Sequence, residues 1–156
     1  MMLIAKISLI IKWKIFLMSN LSIDEIKENF KLFDNQLDKF EYLIEIGKNN
    51  TGLDLGFKIN DNLIIGCASK SWVICSKENN LFYIDIDSEA HLVRGLLSIL
   101  QITVNGKSKN QIFEMDGLKI LDEIGLGKNI TSQRMNGFLS ALNKVKKIVE
   151  HYEYSK

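Results

Sequence analysis

With 156 residues, 46% of them apolar and 25% charged, the chain has the size and make-up of one soluble globular domain able to bury a core. Twenty basic against nineteen acidic side chains leave a formal net charge of +1, so no dominant attraction to nucleic acid or to an anionic membrane is expected. Two cysteines, Cys67 and Cys75, and two distant histidines, His91 and His151, form neither a disulfide framework nor a zinc or iron–sulfur ligand spacing; a reducing compartment, the cytoplasm, and no bound metal follow as expectations.

Met1 to Leu17 is apolar but broken by Lys6, Lys12 and Lys14. It lacks the run of about 18 uninterrupted apolar residues that a membrane span needs, and no small-residue cleavage site follows it. Two readings stand: an N-terminal extension, residues 1–17, upstream of a true start at Met18, or a weak amphipathic or organelle-directing segment. The domain proper is expected over residues 18–156.

Ser22-Ile23-Asp24-Glu25 is a capping box and predicts a helix start. Apolar residues then recur at Ile26, Phe30, Phe33, Leu37, Phe40 and Ile44, a helical spacing divided at Asp34-Asn35 and ending at Gly47. Residues 48–62 read as a loop, with Leu53, Leu55, Phe57 and Ile59 as candidates to pin it to the body.

Three short strands are predicted next: Asn62 to Ile65, Trp72 to Cys75, and Leu81 to Ile86 after a polar turn. A helix follows from Ser88 to Gln101, with Asp87 and Ser88 as cap candidates and Ala90, Val93, Leu96, Leu97 and Leu100 as its apolar stripe. After the Asn105-Gly106 turn, Ser108 to Gln111 repeats the capping box, Asp116 caps another helix that stops at Gly125, and Thr131-Ser132 begins a long last helix. Its expected inward side carries Met135, Phe138, Leu139, Leu142, Val145, Ile148 and Tyr152. Helices, then three strands, then helices argue an α+β two-layer domain, a three-stranded antiparallel sheet covered by N- and C-terminal helices.

Cys67 falls in Gly66-Cys67-Ala68-Ser69-Lys70-Ser71-Trp72, a glycine-marked reversal between two predicted strands, where a thiol is presented rather than buried. A thiolate is the sulfur nucleophile, and an unperturbed cysteine with a pKa of about 8.5 is only slightly ionised at neutral pH. Turn N–H groups or a cation from Lys70, Arg94 or Arg134 would raise that fraction. Cys75, inside an apolar strand, reads as a small buried hydrophobe.

The Gly-Cys-x-Ser-x-x-Trp pattern resembles the SufE family of sulfur acceptors. Tyr42 to Gly47 is similar to the family's helix-ending run, Asp87 to Leu96 to its Asp-Ser-Asp-Ala-x-Ile-Val-Lys-Gly-Leu segment, and Leu126 with Ile130 to Phe138 to its Leu-Ser-x-x-Arg-x-x-Gly-Leu ending. The resemblance spans Ile23 to Tyr152. It departs where the Leu-Pro pair after Gly47 and an aromatic residue near Gln36 are missing.

The resemblance implies a SufE/IscU-like fold and a thiol, Cys67, that attacks the terminal sulfur of a persulfide on a pyridoxal-phosphate-dependent cysteine desulfurase of the SufS or CsdA type. The sulfur then passes to a cluster scaffold for iron–sulfur assembly, and this chain needs no cofactor of its own. In the family the loop shelters the thiol and then extends it, which limits oxidation of a reactive sulfur. Gly66 and Ser69 belong to that loop, Trp72 reads either as an anchor beside it or, the favoured reading, as core packing, and Arg134 reads either as a contact to the loop or partner or as a surface arginine at a helix start. His91 reads as a solvated helix residue. Rival readings are a docking adaptor in which Cys67 is incidental, a cluster scaffold, which needs about three cysteines or equivalents, and a cysteine hydrolase, which needs a paired base and an oxyanion hole.

Overall fold

The computed structural model describes residues 21–152, so the expectations for residues 1–17 lie outside the described residues. Helix α1, Ile23–Lys31, starts with the expected capping box: the Ser22 hydroxyl accepts from Glu25 N–H and the Glu25 carboxylate accepts from Ser22 N–H. Asn35 caps α2, Gln36–Asn49, by accepting from Asp38 N–H at 2.9 Å, which places the division at Asp34-Asn35.

Gly47 does not end α2; the helix runs two residues further. Its glycine serves packing instead. A Cβ at Gly47 would overlap the His91 carbonyl oxygen, and one at Gly95 would overlap the Leu43 carbonyl oxygen, so two bare helix surfaces let α2 and α3, His91–Val104, meet backbone to backbone.

Among the described residues the sheet has two strands where three were expected: β1, Ser71–Glu78, and β2, Leu81–Ser88, antiparallel, with Ser71 opposite Ser88 and Glu78 opposite Leu81. Asn79 and Asn80 join them with φ of 53° and 64°, the left-handed pair that a two-residue hairpin requires. The expected strand at Asn62 to Ile65 shrinks to one bridge, Leu63 to Trp72, with Ile64 N–H donating to the Ser71 carbonyl at 2.8 Å. Pairing stops there because Gly66, at φ 101°, turns the chain away, leaving Ile65 exposed. On the opposite edge, Phe82 bridges Lys107.

Alternation along the strands separates two apolar faces. Val73, Phe82, Ile84 and Ile86 join the main core with the helices, while Trp72 and Ile74 join a smaller cluster with Leu53, Phe57, Leu63 and Tyr83. Segment 50–63 covers that second face and includes two single-turn 3₁₀ helices, Leu55–Phe57 and Asn60–Asn62. Of its pinning candidates Leu53 is buried and Phe57 packs partly, whereas Leu55 and Ile59 are exposed.

Asp87 and Ser88 do not cap α3 in the expected way, since the helix begins at His91 after Ala90. The Asp87 carboxylate is committed to tertiary structure: it accepts from Leu53 N–H at 2.9 Å and Ser88 N–H at 2.7 Å, and pairs with Lys58 at 2.9 Å and Arg94 at 3.3 Å. Short helices α4, Lys109–Phe113, and α5, Gly117–Glu123, follow, capped by Ser108 and Asp116. The last helix, α6, Ser132–His151, capped by Thr131, buries Gly137, Phe138, Ala141, Leu142, Val145 and Val149. Among the described residues no helix is long and apolar enough to cross a membrane.

Candidate functional site

The loop from Ile65 to Lys70 is fastened at both ends. Ile64 N–H holds the Ser71 carbonyl at its start, and the Lys70 carbonyl accepts from Glu89 N–H at 3.0 Å at its finish. One side of the loop lies on α6. A Cβ on Gly66 would stand 2.7 Å from the Ser140 hydroxyl, so Gly66 needs to be glycine for its φ and for its proximity to the helix, and upstream of the loop the Lys144 ammonium donates to the Asp61 carbonyl at 3.0 Å.

Cys67 sits half-buried at this contact. Its sulfur lies 3.7 Å from the Gly137 carbonyl oxygen, to which the thiol donates, and a Cβ on Gly137 would come within 3.1 Å of the sulfur. Two glycines, one from the loop and one from α6, therefore shape the seat of the thiol. Beside it is a cavity of about 230 Å³ between loop, α3 and α6, whose walls include Ala68, Ser69, Val93, Leu97, Arg134 and Phe138.

Burial in these surroundings pushes the Cys67 thiol up, and a hydrogen bond with the Ser71 side chain pulls in the opposite direction. The carbonyl at Gly137 can only accept, so it too favours the protonated form. The seated sulfur is thus held as a thiol, chemically quieter than a thiolate. Cys75 is further from ionising: burial pushes it up to about 12.

Of the sequence candidates, Gly66, Cys67, Ser69 and Arg134 come together. Ser69 takes part through its carbonyl, which accepts from the Ser71 hydroxyl at 3.0 Å. Arg134 lines the cavity from the first turn of α6, with its guanidinium 5.5 Å from the Phe40 ring centre. Trp72 takes the core-packing role rather than that of a loop anchor: it lies on the other face of the sheet from the thiol, with Leu53 and Ile74, under the Lys58 ammonium. Arg94 is occupied by Asp87 and by the Asn50 and Ser88 carbonyls, and Lys70 is exposed on the loop, so Arg134 is the cation left at the cavity. His91 is exposed and is not among the cavity walls. Among the described residues no three His, Cys, Asp or Glu side chains gather as a metal site.

Sequence reasoning missed Ser71 as a site residue. The clue available was its place two residues before Val73 on a period-two strand, which puts its side chain on the helix-facing side, where the thiol also packs.

Comparison with known proteins gives this site a context. An uncharacterized SufE-like protein of Rhizobium etli is 35% identical over 129 residues, covering 80% of this chain and 87% of that protein. The sulfur acceptor protein CsdE of Escherichia coli is 33% identical over 108 residues, covering 69% of this chain and 73% of its own length. The fold is also like that of a hypothetical protein from Thermus thermophilus solved in solution, with a TM-score of 0.65 at 18% identity over 82% of this chain and 93% of that one. The family model for SufE, the Fe-S metabolism associated domain, matches residues 24–149. The chain belongs to the SufE family.

Proposed function

We propose that this protein accepts sulfur from a cysteine desulfurase for iron–sulfur metabolism and carries it on Cys67 as a persulfide. Relatives named sulfur acceptor and cysteine desulfuration protein support the first part. The observation that carries the second is the half-buried Cys67 at the turn of a loop, beside a cavity, resting on α6 through its contact with the Gly137 carbonyl.

The step is an exchange between sulfurs. The Cys67 thiolate attacks the terminal sulfur of the desulfurase persulfide; a new S–S bond forms to Cys67 as the old one breaks, and the partner's cysteine leaves as a thiolate. The partner's cysteine returns to the thiol level as Cys67 rises to the persulfide level, so the exchange is redox-neutral for the pair and needs no external oxidant or reductant. While the loop lies on α6, the thiol stays protonated and shielded. Extending it toward the partner removes the Gly137 carbonyl and the apolar walls from the sulfur, and ionisation becomes easier. The partner is a pyridoxal-phosphate enzyme of the SufS or CsdA type, the later recipient a cluster scaffold, and the setting the cytoplasm.

Intact mass after incubation with a desulfurase and cysteine tests this. An adduct of about 32 Da that Cys67→Ser abolishes is the expected result. Desulfurase stimulation undiminished by Cys67→Ser would instead make the protein an adaptor.

A further inference from the structure

Gly137 lies in the second turn of α6, where glycine leaves a helix less stable than alanine would. Its backbone is helical and makes no demand for glycine. Space makes the demand. A methyl at this position would meet Cys67 before any other neighbour, the sulfur at 3.1 Å, the Cα at 3.8 Å and the Cβ at 3.9 Å. The Gly137 carbonyl also accepts from the thiol at 3.7 Å. One turn further along α6, Ser140 lies against Gly66 of the same loop. Residues three apart share a helix face, so the loop rests on a flat strip of α6 through two successive contacts.

Which partner gives way decides what a side chain at 137 would do. At Gly95 a methyl would run into the backbone of a second helix, whereas at Gly137 it meets a loop fastened only at its ends, through Ile64 N–H and the Lys70 carbonyl. The loop therefore yields and the helix stays. We infer that Gly137 is the positioning residue that keeps Cys67 seated: its missing side chain is the room into which the sulfur fits, and any side chain there shifts the loop toward the released form that presents the thiol. A single methyl forces the sulfur back by about 0.5 Å and weakens its bond to the carbonyl; a larger side chain takes the seat outright. The other groups around the sulfur are untouched by such a change. Toward the cavity α3 brings the apolar Leu92, Val93 and Leu97, α6 brings Arg134, and Lys70 of the loop is exposed.

This regulation of the Cys67 site rests on the reading of Cys67 as the sulfur carrier, and the experiment separates the two. Gly137→Ala and Gly137→Leu introduce good helix formers of increasing size. Iodoacetamide modification is followed across pH by peptide mass spectrometry that distinguishes Cys67 from Cys75. Gly137→Ala is expected to speed Cys67 modification about threefold and Gly137→Leu about tenfold, with the Cys67 midpoint falling as the sulfur leaves its seat and Cys75 unchanged. Thermal melts give a second reading: Gly137→Ala should raise Tm by about 3 °C in a Cys67→Ala background, where the sulfur is gone, and by less with Cys67 present. Unmoved Cys67 modification in both variants overturns the inference, as does an acceleration that Cys75 shares, or an equal Tm gain in the two backgrounds. If Gly137→Leu does not fold, Gly137→Ala decides alone. A desulfurase-dependent persulfide on native Cys67 together with unmoved modification sinks the Gly137 role alone. Faster modification without any persulfide sinks the carrier reading and leaves Gly137 as the seat of a sheltered cysteine.

Discussion

Gly95→Ala tests the backbone contact between α2 and α3. In an exposed helix this change would stabilise by about 1 kcal/mol. Here the new methyl would overlap the Leu43 carbonyl oxygen and lie 2.8 Å from the carbonyl carbon. Backbone atoms stand on both sides, so no rotamer relieves the overlap; the helices must separate by on the order of 1 Å, loosening Leu43, Leu96 and Leu97 in the main core. Overpacking of this kind costs about 3 kcal/mol, leaving a net loss of about 2 kcal/mol. In a domain of this size that lowers Tm by about 7 °C. Gly47→Ala should do the same against the His91 carbonyl, and the double variant should lose less than the sum, because one separation accommodates both methyls. Thermal and urea melts followed by circular dichroism measure all three. A Gly95→Ala protein as stable as the native one, or more so, would refute the contact.

Asp87→Asn should cost about 3 kcal/mol in a urea melt, since it leaves Arg94 and Lys58 facing a neutral amide in a buried site. Cys75 stays protonated when folded but ionises from about pH 8.5 when unfolded. The folded chain then binds more protons, and stability falls as pH rises from there toward about 12. Cys75→Val should remove up to about 2 kcal/mol of that loss by about pH 10, read as a smaller alkaline fall in Tm than the native protein shows. Lys144→Ala deletes the tie to the Asp61 carbonyl in segment 50–63 and should cost under about 1 kcal/mol in a urea melt.

What the sequence reveals well is local chemistry. Ser22, Asn35, Ser108, Asp116 and Thr131 each cap the helix that follows, because a cap needs only the residues within one turn of it. The cysteine loop is readable for the same reason: Gly66 marks the reversal on its own. Long-range demands are hidden. Asp87 looks like a helix cap until Lys58 and Arg94 arrive from distant segments, and Gly47 looks like a helix end until α3 lies across it. The segment Asn62 to Ile65 has strand-like composition, yet the turn at Gly66 limits it to one bridge. The buried Ser71–Ser88 hydroxyl pair escapes notice because it depends on a register that no single strand records.

The cavity beside Cys67 draws its walls from the loop, from α3 and from α6, the last described helix in chain order. Since a polypeptide emerges from the ribosome N-terminus first, the nucleophile is made well before the helix that shelters it. A nascent chain would carry that sulfur uncovered until the whole stretch through His151 had followed it out of the tunnel and α6 had docked. Protection from oxidants is therefore a property of the packed fold, acquired only after α6 has been made and has docked.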